Sequence, residues 1–349
     1  YGENVESSTQ NNQTIKQFGI NFNNDILYQH KFSKKGRTIS IDLNTAVNTK
    51  QSKGTLFTNN NYWIDTLPHN DTINQKSNLH TTGYTVGGNI VYTEPIKKYG
   101  QISLNYSPSY TNTFSDKSTN NYDESSNTYS LQDTALSNNF NNYYLTNKLG
   151  IAYRYNNKKI SWSIALNGQD ALLHSNQAYP QNTQINKHFL SLLPSADFNY
   201  KFSKTENLKL FYRTSTNAPS IAQLQNVIDN SNSLILSSGN SNLQQTSSQN
   251  LGIRYGRANT EKATNFFLYA GATYTMNYIA NSTTIFNRDT IVNGILATSG
   301  TQFIQPVNLN GYWNARAFIT YGFPISKLKS NMNFNGGFVY TRTPALINN

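Results

Sequence analysis

The chain has 349 residues and carries 28 Lys and Arg against 17 Asp and Glu, a formal net charge of +11, with no cysteine at all. Aromatic and charged residues each make up 13%; the charged share is about half the usual one, and the 24 Tyr and 18 Phe exclude a disordered polar tail. The lack of cysteine excludes a disulfide framework and any thiolate metal site, and no apolar run approaches the roughly 20 residues of a membrane helix.

Any membrane span must therefore run through strands, whose backbone groups are satisfied only in a closed sheet. The sequence begins in a polar stretch, Tyr1-Gly2-Glu3-Asn4-Val5-Glu6, with no charged and then apolar leader, so a signal peptide is removed or lies outside it. From there period-2 alternation recurs to the other end. Ile39, Ile41 and Leu43 alternate with Ser40 and Asp42; Ile102, Leu104 and Tyr106 with Ser103 and Asn105. Leu149, Ile151, Tyr153 and Tyr155 alternate with Gly150 and Arg154, and Trp313, Ala315, Ala317 and Ile319 with Asn314 and Arg316. About twelve strands result, near 18–32, 37–50, 79–94, 99–112, 139–156, 158–172, 188–203, 207–216, 246–257, 263–280, 300–323 and 328–343. The one helical signal is short, Pro219–Asn226.

The connections alternate strictly between two kinds. Short ones fall at Ser33–Gly36, Pro95–Lys98, Asn156–Lys158, Ser203–Asn207, Ala258–Lys262 and Pro324–Lys327. Long ones, rich in Asn, Ser, Thr and Asp, fall at 51–78, 113–138, 173–187, 217–245 and 281–299. Long structureless loops are uncommon in compact soluble domains; a rim of short turns opposite a rim of long loops is the pattern of outer-membrane barrels. The reading is an all-β, antiparallel up-and-down transmembrane β-barrel, a single domain over 1–349. Of the 28 basic residues, 14 lie in or beside the short turns. A solvated rim beside lipid headgroups, including lipopolysaccharide, accounts for them. Nucleic-acid binding wants aromatics interleaved with the cations, and these turns offer few. Lys and Arg are essentially missing from the lipid-facing positions, where mid-bilayer charge costs about 2–4 kcal/mol.

Leu210-Phe211-Tyr212-Arg213 leads into Pro219-Ser220-Ile221-Ala222-Gln223-Leu224, then Ser238-Gly239-Asn240-Ser241-Asn242-Leu243 before the next strand. These stretches resemble the barrel of TonB-dependent outer-membrane receptors. The turn His30-Lys31-Phe32-Ser33-Lys34-Lys35-Gly36-Arg37 resembles the Bacteroidetes-type branch. The resemblance implies a barrel of about 22 strands, of which this chain is a fragment. It further implies a plug domain and a TonB complex engaged through parts not in this sequence, and an extracellular ligand. Physically, Pro219 ends strand pairing, Gly239 is expected to supply left-handed geometry, and Asn240 and Asn242 form Asx turns.

Few constellations carry chemistry. The histidines, at 30, 69, 80, 174 and 188, show no close pairing for a metal. Asp65 with Asp71, or Asp123 with Glu124, could ligate Ca²⁺, but no loop of the Asp-x-Asp-x-Asp-Gly kind exists. No cofactor, metal or catalytic residue is expected. Gly87-Gly88 and Gly336-Gly337 suggest a bulge, a kink or close backbone approach. Ligand-binding candidates are Tyr62 and Trp63, which can stack on a sugar or chelate ring, and Arg213. In this register Arg213, Arg254 and Arg316 face the barrel interior, where packing with acids is the simpler role. The functional expectation is a receptor barrel for TonB-dependent uptake of a large nutrient, whether siderophore, cobalamin, glycan or peptide. The alternatives are a plug-less pore or adhesin scaffold, and a soluble basic β-protein that binds nucleic acid.

Overall fold

The computed structural model describes residues 7–64, 67–134, 136–180, 182–224, 226, 228–232, 234–292 and 294–348. Twelve long strands form one antiparallel wall in which each pairs with its predecessor. They are β1 (Ser7–Lys31), β2 (Thr38–Ile64), β3 (Leu67–Ile96) and β4 (Gly100–Asp123). Next come β5 (Asn138–Asn156), β6 (Ile160–Tyr179), β7 (Thr183–Lys201) and β8 (Glu206–Asn217). The last are β9 (Thr246–Asn259), β10 (Thr264–Met276), β11 (Tyr312–Ile325) and β12 (Ser330–Arg342). The wall is open, with β1 and β12 as its edges.

Register fixes the two faces. Ile41, Ile90, Tyr106 and Leu149 share one rung; Leu210, Ile253, Ala270, Ala317 and Phe338 share another. Because successive side chains point to opposite faces, these residues belong to a single apolar surface. Its leucines stand open, Leu190 at 74% and Leu149 at 65% exposure, where a water-soluble protein would bury them.

Aromatic rings bound this surface at both ends. Near the short turns Tyr153 and Tyr155 flank Trp162, with centroids 5.3 and 6.1 Å away, and Tyr255 meets Phe266 at 5.8 Å. Toward the other rim run Tyr84, Tyr110 and Tyr143, each 5.9 Å from the next, while Tyr274 meets Trp313 at 4.7 Å. Ten residues separate Tyr143 from Tyr153 on β5. At ~3.4 Å per residue and ~40° of tilt, the band is ~26 Å tall, the height of an outer-membrane barrel's apolar belt. These two girdles place the wall in a bilayer.

The six short turns fall where the sequence puts them. Gly36 takes φ +89° in the first of them, where a side chain would be strained. Beyond the lower girdle, Glu94 accepts from Lys34 Nζ at 2.5 Å and Arg37 Nε at 2.7 Å, and Tyr92 donates to it at 2.8 Å. Arg37, then Lys34 and Tyr92, hold its carboxyl well below the usual carboxylate range.

Three of the predicted long loops prove to be mostly strand. The predicted loop 51–78 is the outer part of the β2–β3 hairpin, paired from Gln51↔His80 to Ile64↔Leu67. Likewise 113–138 continues β4 and adds a short strand, Thr128–Gln132, and 173–187 is taken up by β6 and β7. These segments alternate polar with polar, so an apolar period could not reveal them, while Thr and Asn still pair across strands. The glycine pairs also resolve. Pairing lapses at Gly88 and Asn89, opposite Pro108, which has no N–H to give. Gly336 and Gly337 pair regularly with Ile319 and Phe318, whose side chains lie over them, so close approach is the cause there.

Candidate functional site: the inner wall and its loop cap

The motif stretch between β8 and β9 folds onto the face opposite the apolar belt, which identifies that face as the interior. Ser220 opens a four-residue helix, α1 (Ile221–Leu224). Its hydroxyl accepts from Gln223 N at 3.3 Å, and Gln223 Oε1 accepts from Ser220 N at 2.9 Å, a reciprocal cap. Asn240 N donates to Gln223 O at 2.6 Å, its side-chain amide donates to Pro306 O at 3.0 Å, and Asn242 N closes an Asx turn on Asn240 Oδ1 at 2.9 Å. Gly239 is not left-handed, contrary to expectation; its carbonyl accepts from Gln305 Nε2 at 3.0 Å. The outcome is that Leu224 and Leu243, the two leucines of the motif, meet Leu173 of the wall in one buried cluster. Tyr144, Ile185 and Phe189, all interior by register, pack around it, as does Ile279.

Further chain completes this cap. Asp229–Asn232, Ile235–Ser237, Gln302–Leu309, Tyr278–Ile285 and Leu346–Ile347 form a separate five-stranded sheet. Ile228, Leu236 and Ala297 are buried beside it, with Phe286, Val292 and Phe303 against them. The predicted strands 263–280 and 300–323 are therefore each two strands. Asn277 at φ +51° ends the first wall strand, and Gly311 at φ +97° separates the cap strand from β11 in the second.

Nearer the short turns the interior face is lined by cations and aromatics. Phe211, Gly252, Gly271 and Arg316 share one rung; Lys209, Arg254, Tyr269 and Phe318 share the next. A Cβ at Gly252 would come within 2.2 Å of the Phe211 ring, and one at Gly271 within 2.7 Å of Tyr269 Oη, so either ring would have to move to admit it. The rings lie flat on the backbone because the glycines leave them room. The guanidiniums stack in turn over rings, Arg213 over Phe211 at 5.5 Å, Arg254 over Phe267 at 5.5 Å and Arg316 over Tyr269 at 5.4 Å. Sequence reasoning placed these arginines inward correctly but gave them acidic partners. Only Arg213 has one among the described residues, Asp197 at 3.1 Å. Arg154, Lys209, Arg213, Arg254 and Tyr269 line a concavity of about 630 Å³.

The profile of the Outer membrane protein beta-barrel family matches residues 30–349. The chain belongs to that family. No curated protein matches the chain. Among solved structures its fold is similar to the copper transporter OprC, with a TM-score of 0.51 at 8% identity over 95% of this chain and 57% of that one. It is also similar to the ferric yersiniabactin uptake receptor FyuA of Yersinia pestis, at 0.50 and 6% identity over 93% and 52%. The chain thus spans little more than half the length of these structures. As an outer membrane β-barrel it is an integral protein of the bacterial outer membrane, which agrees with the two girdles and the open apolar belt.

Within this outer-membrane barrel the remaining candidates separate. Tyr62 and Trp63 sit in the far part of β2, paired with His69 and Pro68, and their side chains lie outside the described residues, as does Asp65. Arg213 is brought together with Arg254 and Lys209. No group of three metal-ligating side chains occurs among the described residues. His188 Nε2 lies 2.5 Å from Asp170 Oδ1 on the outward face near the upper girdle, a pair that sequence spacing did not show. At the tip of the hairpin after β4, Asp123 accepts from the Ser125 and Ser126 hydroxyls, both at 2.7 Å. Those hydroxyls, with help from Ser125 N and Ser130, lower its pKa to about 2. A depressed carboxylate keeps its contribution above the unfolded pKa and loses it as pH falls through the folded one. The tip turn is thus expected to loosen only as pH falls from about 4 to about 2, and the carbon chemical shift of the Asp123 carboxyl should titrate near 2; a midpoint near 4 would contradict these contacts.

Proposed function

We propose that this outer-membrane barrel is the wall of a receptor that takes up a nutrient too large for open porins, with a plug domain and the TonB complex supplied by the rest of the protein. The observation that carries the reading is the interior. A pore needs a clear passage and an adhesin needs only outer loops, whereas here two long connections fold inward and pack on the wall at Leu173, one through Leu224 and Leu243 and the other through Ile279. That arrangement lays folded chain over the inner face toward the long-loop rim, which is the extracellular one in such barrels, and suits capture followed by gated passage. The role assigned is binding and passage, with no reaction catalysed.

Deleting the gene in its host and comparing growth on metal chelates, cobalamin, oligosaccharides and peptides tests this. One class should fail to support growth, the intact gene should restore it, and restoration should require the proton gradient. Growth unchanged on every class, together with lost surface attachment, would replace the receptor with an adhesin.

A further inference from the structure

We infer that the arginine–aromatic wall between β5 and β11 is a binding site for a small solute bearing several carboxylate or phosphate groups. This deepens the receptor reading by naming the chemistry of what passes.

Arg154, Lys209, Arg213, Arg254 and Arg316 are among the cations that point inward by register in the half of the wall nearer the short turns. A single carboxylate, Asp197, stands among them. The other interior carboxylates at this level, Asp25 and Asp42, lie on β1 and β2 at the far end of the sheet. Like charges so placed repel, and a solvated rim would relieve that by letting the side chains spread into water. Here they are held instead. Gly252 and Gly271 leave room for the Phe211 and Tyr269 rings to lie over them, and Arg213 and Arg316 stack over those rings. A stacked guanidinium keeps its N–H edge aimed, as Arg213 shows by donating to Asp197 at 3.1 Å, and that is the geometry that recognises carboxylate and phosphate through paired hydrogen bonds. The concavity lined by Arg154, Lys209, Arg213 and Arg254, at about 630 Å³, has the size of a small-molecule site. Asn156 and Asn199 on its edge add neutral amides to the set.

The alternative occupant is an acidic polypeptide surface. The observations favour a solute because four of these cations, Arg154, Lys209, Arg213 and Arg254, line one concavity, whereas a protein face would want them spread over a broad surface.

The test is calorimetric titration of the full chain in detergent micelles with benzene-1,3,5-tricarboxylate and with inorganic tripolyphosphate, at low and at moderate salt. Saturable binding of at least one is expected, weakened at least about tenfold in the double variant Lys209→Gln, Arg254→Gln, both lining the concavity. Arg257→Gln, outside the concavity on the short-turn rim, should leave binding as it is. Arg254→Lys keeps the charge without the flat stack and should fall between, so a double variant that fails to fold still leaves a decisive comparison. No saturable binding of either anion overturns the inference, as does binding that none of these interior variants changes. Binding of poly-glutamate with no binding of either small anion also overturns it, in favour of a protein seat. Host uptake of a neutral or cationic nutrient with no anion binding would sink this site while leaving the receptor reading standing.

Discussion

Replacing Leu224 with Ala is expected to release the cap from the wall while leaving the twelve-stranded wall intact. Leu224 is 1% exposed in a cluster with Leu173 and Leu243. Truncating such a side chain costs about 2–5 kcal/mol, the lost transfer energy plus the cavity left behind. That penalty falls on a small unit held by two leucine-sized clusters, so it should shift local opening rather than global unfolding. Amide exchange in Gln302–Leu309, whose strand belongs to the cap sheet, should quicken by at least about thirtyfold. Exchange in β9 and β10 should not change. If cap amides keep their protection, the motif leucines do not anchor it. Leu243→Ala is expected to do the same, since the two leucines close one cluster from opposite ends of the loop.

A cation placed on the apolar belt should produce the other large effect. Leu251 is 61% exposed on the outward face, four residues above Tyr255 of the lower girdle. Leu251→Arg should destabilise the folded protein in lipid vesicles by about 2–4 kcal/mol, as for any mid-bilayer Arg. Its neighbour Asn250 faces inward, where Thr273 donates to it at 2.6 Å. Asn250→Arg should cost about 1 kcal/mol, the loss of one hydrogen bond. Urea titration of both variants compares the faces directly. Equal costs would mean that the belt does not face hydrocarbon.

Much of this wall was legible in the sequence. Residues such as Ile151, Tyr153 and Leu166, Ile164 alternate with small or polar partners, and that period alone fixes both strand and face. The short turns were legible for a different reason: Gly36, Asn157 and Lys-rich neighbours interrupt the period at fixed points. Hairpin extensions were not, because Asn59, Asn60 and Thr72 show no apolar rhythm even though they pair in an unbroken ladder. The site was half legible. Inward direction of Arg213, Arg254 and Arg316 follows from parity, but their stacking depends on Gly252 lying beside Phe211 and Gly271 beside Gly252. Those neighbours are cross-strand, separated by tens of residues, and only register brings them together. A signal was present in principle: arginine one or two places from an aromatic, with glycine at the matching depth of the next strand.

The β2–β3 hairpin has a kinetic consequence. Its strands continue 17 residues past Val47 of the outward face to Ile64. At ~3.4 Å per residue and ~40° of tilt its end stands roughly 40 Å clear of the upper girdle. The arginine wall lies near the opposite end of the belt, so first encounter and final retention are set by residues some 60–70 Å apart. Substitutions at the hairpin tip would then alter how often a solute arrives, and substitutions in the wall how long it stays. Association and dissociation rates become separately adjustable quantities in one chain.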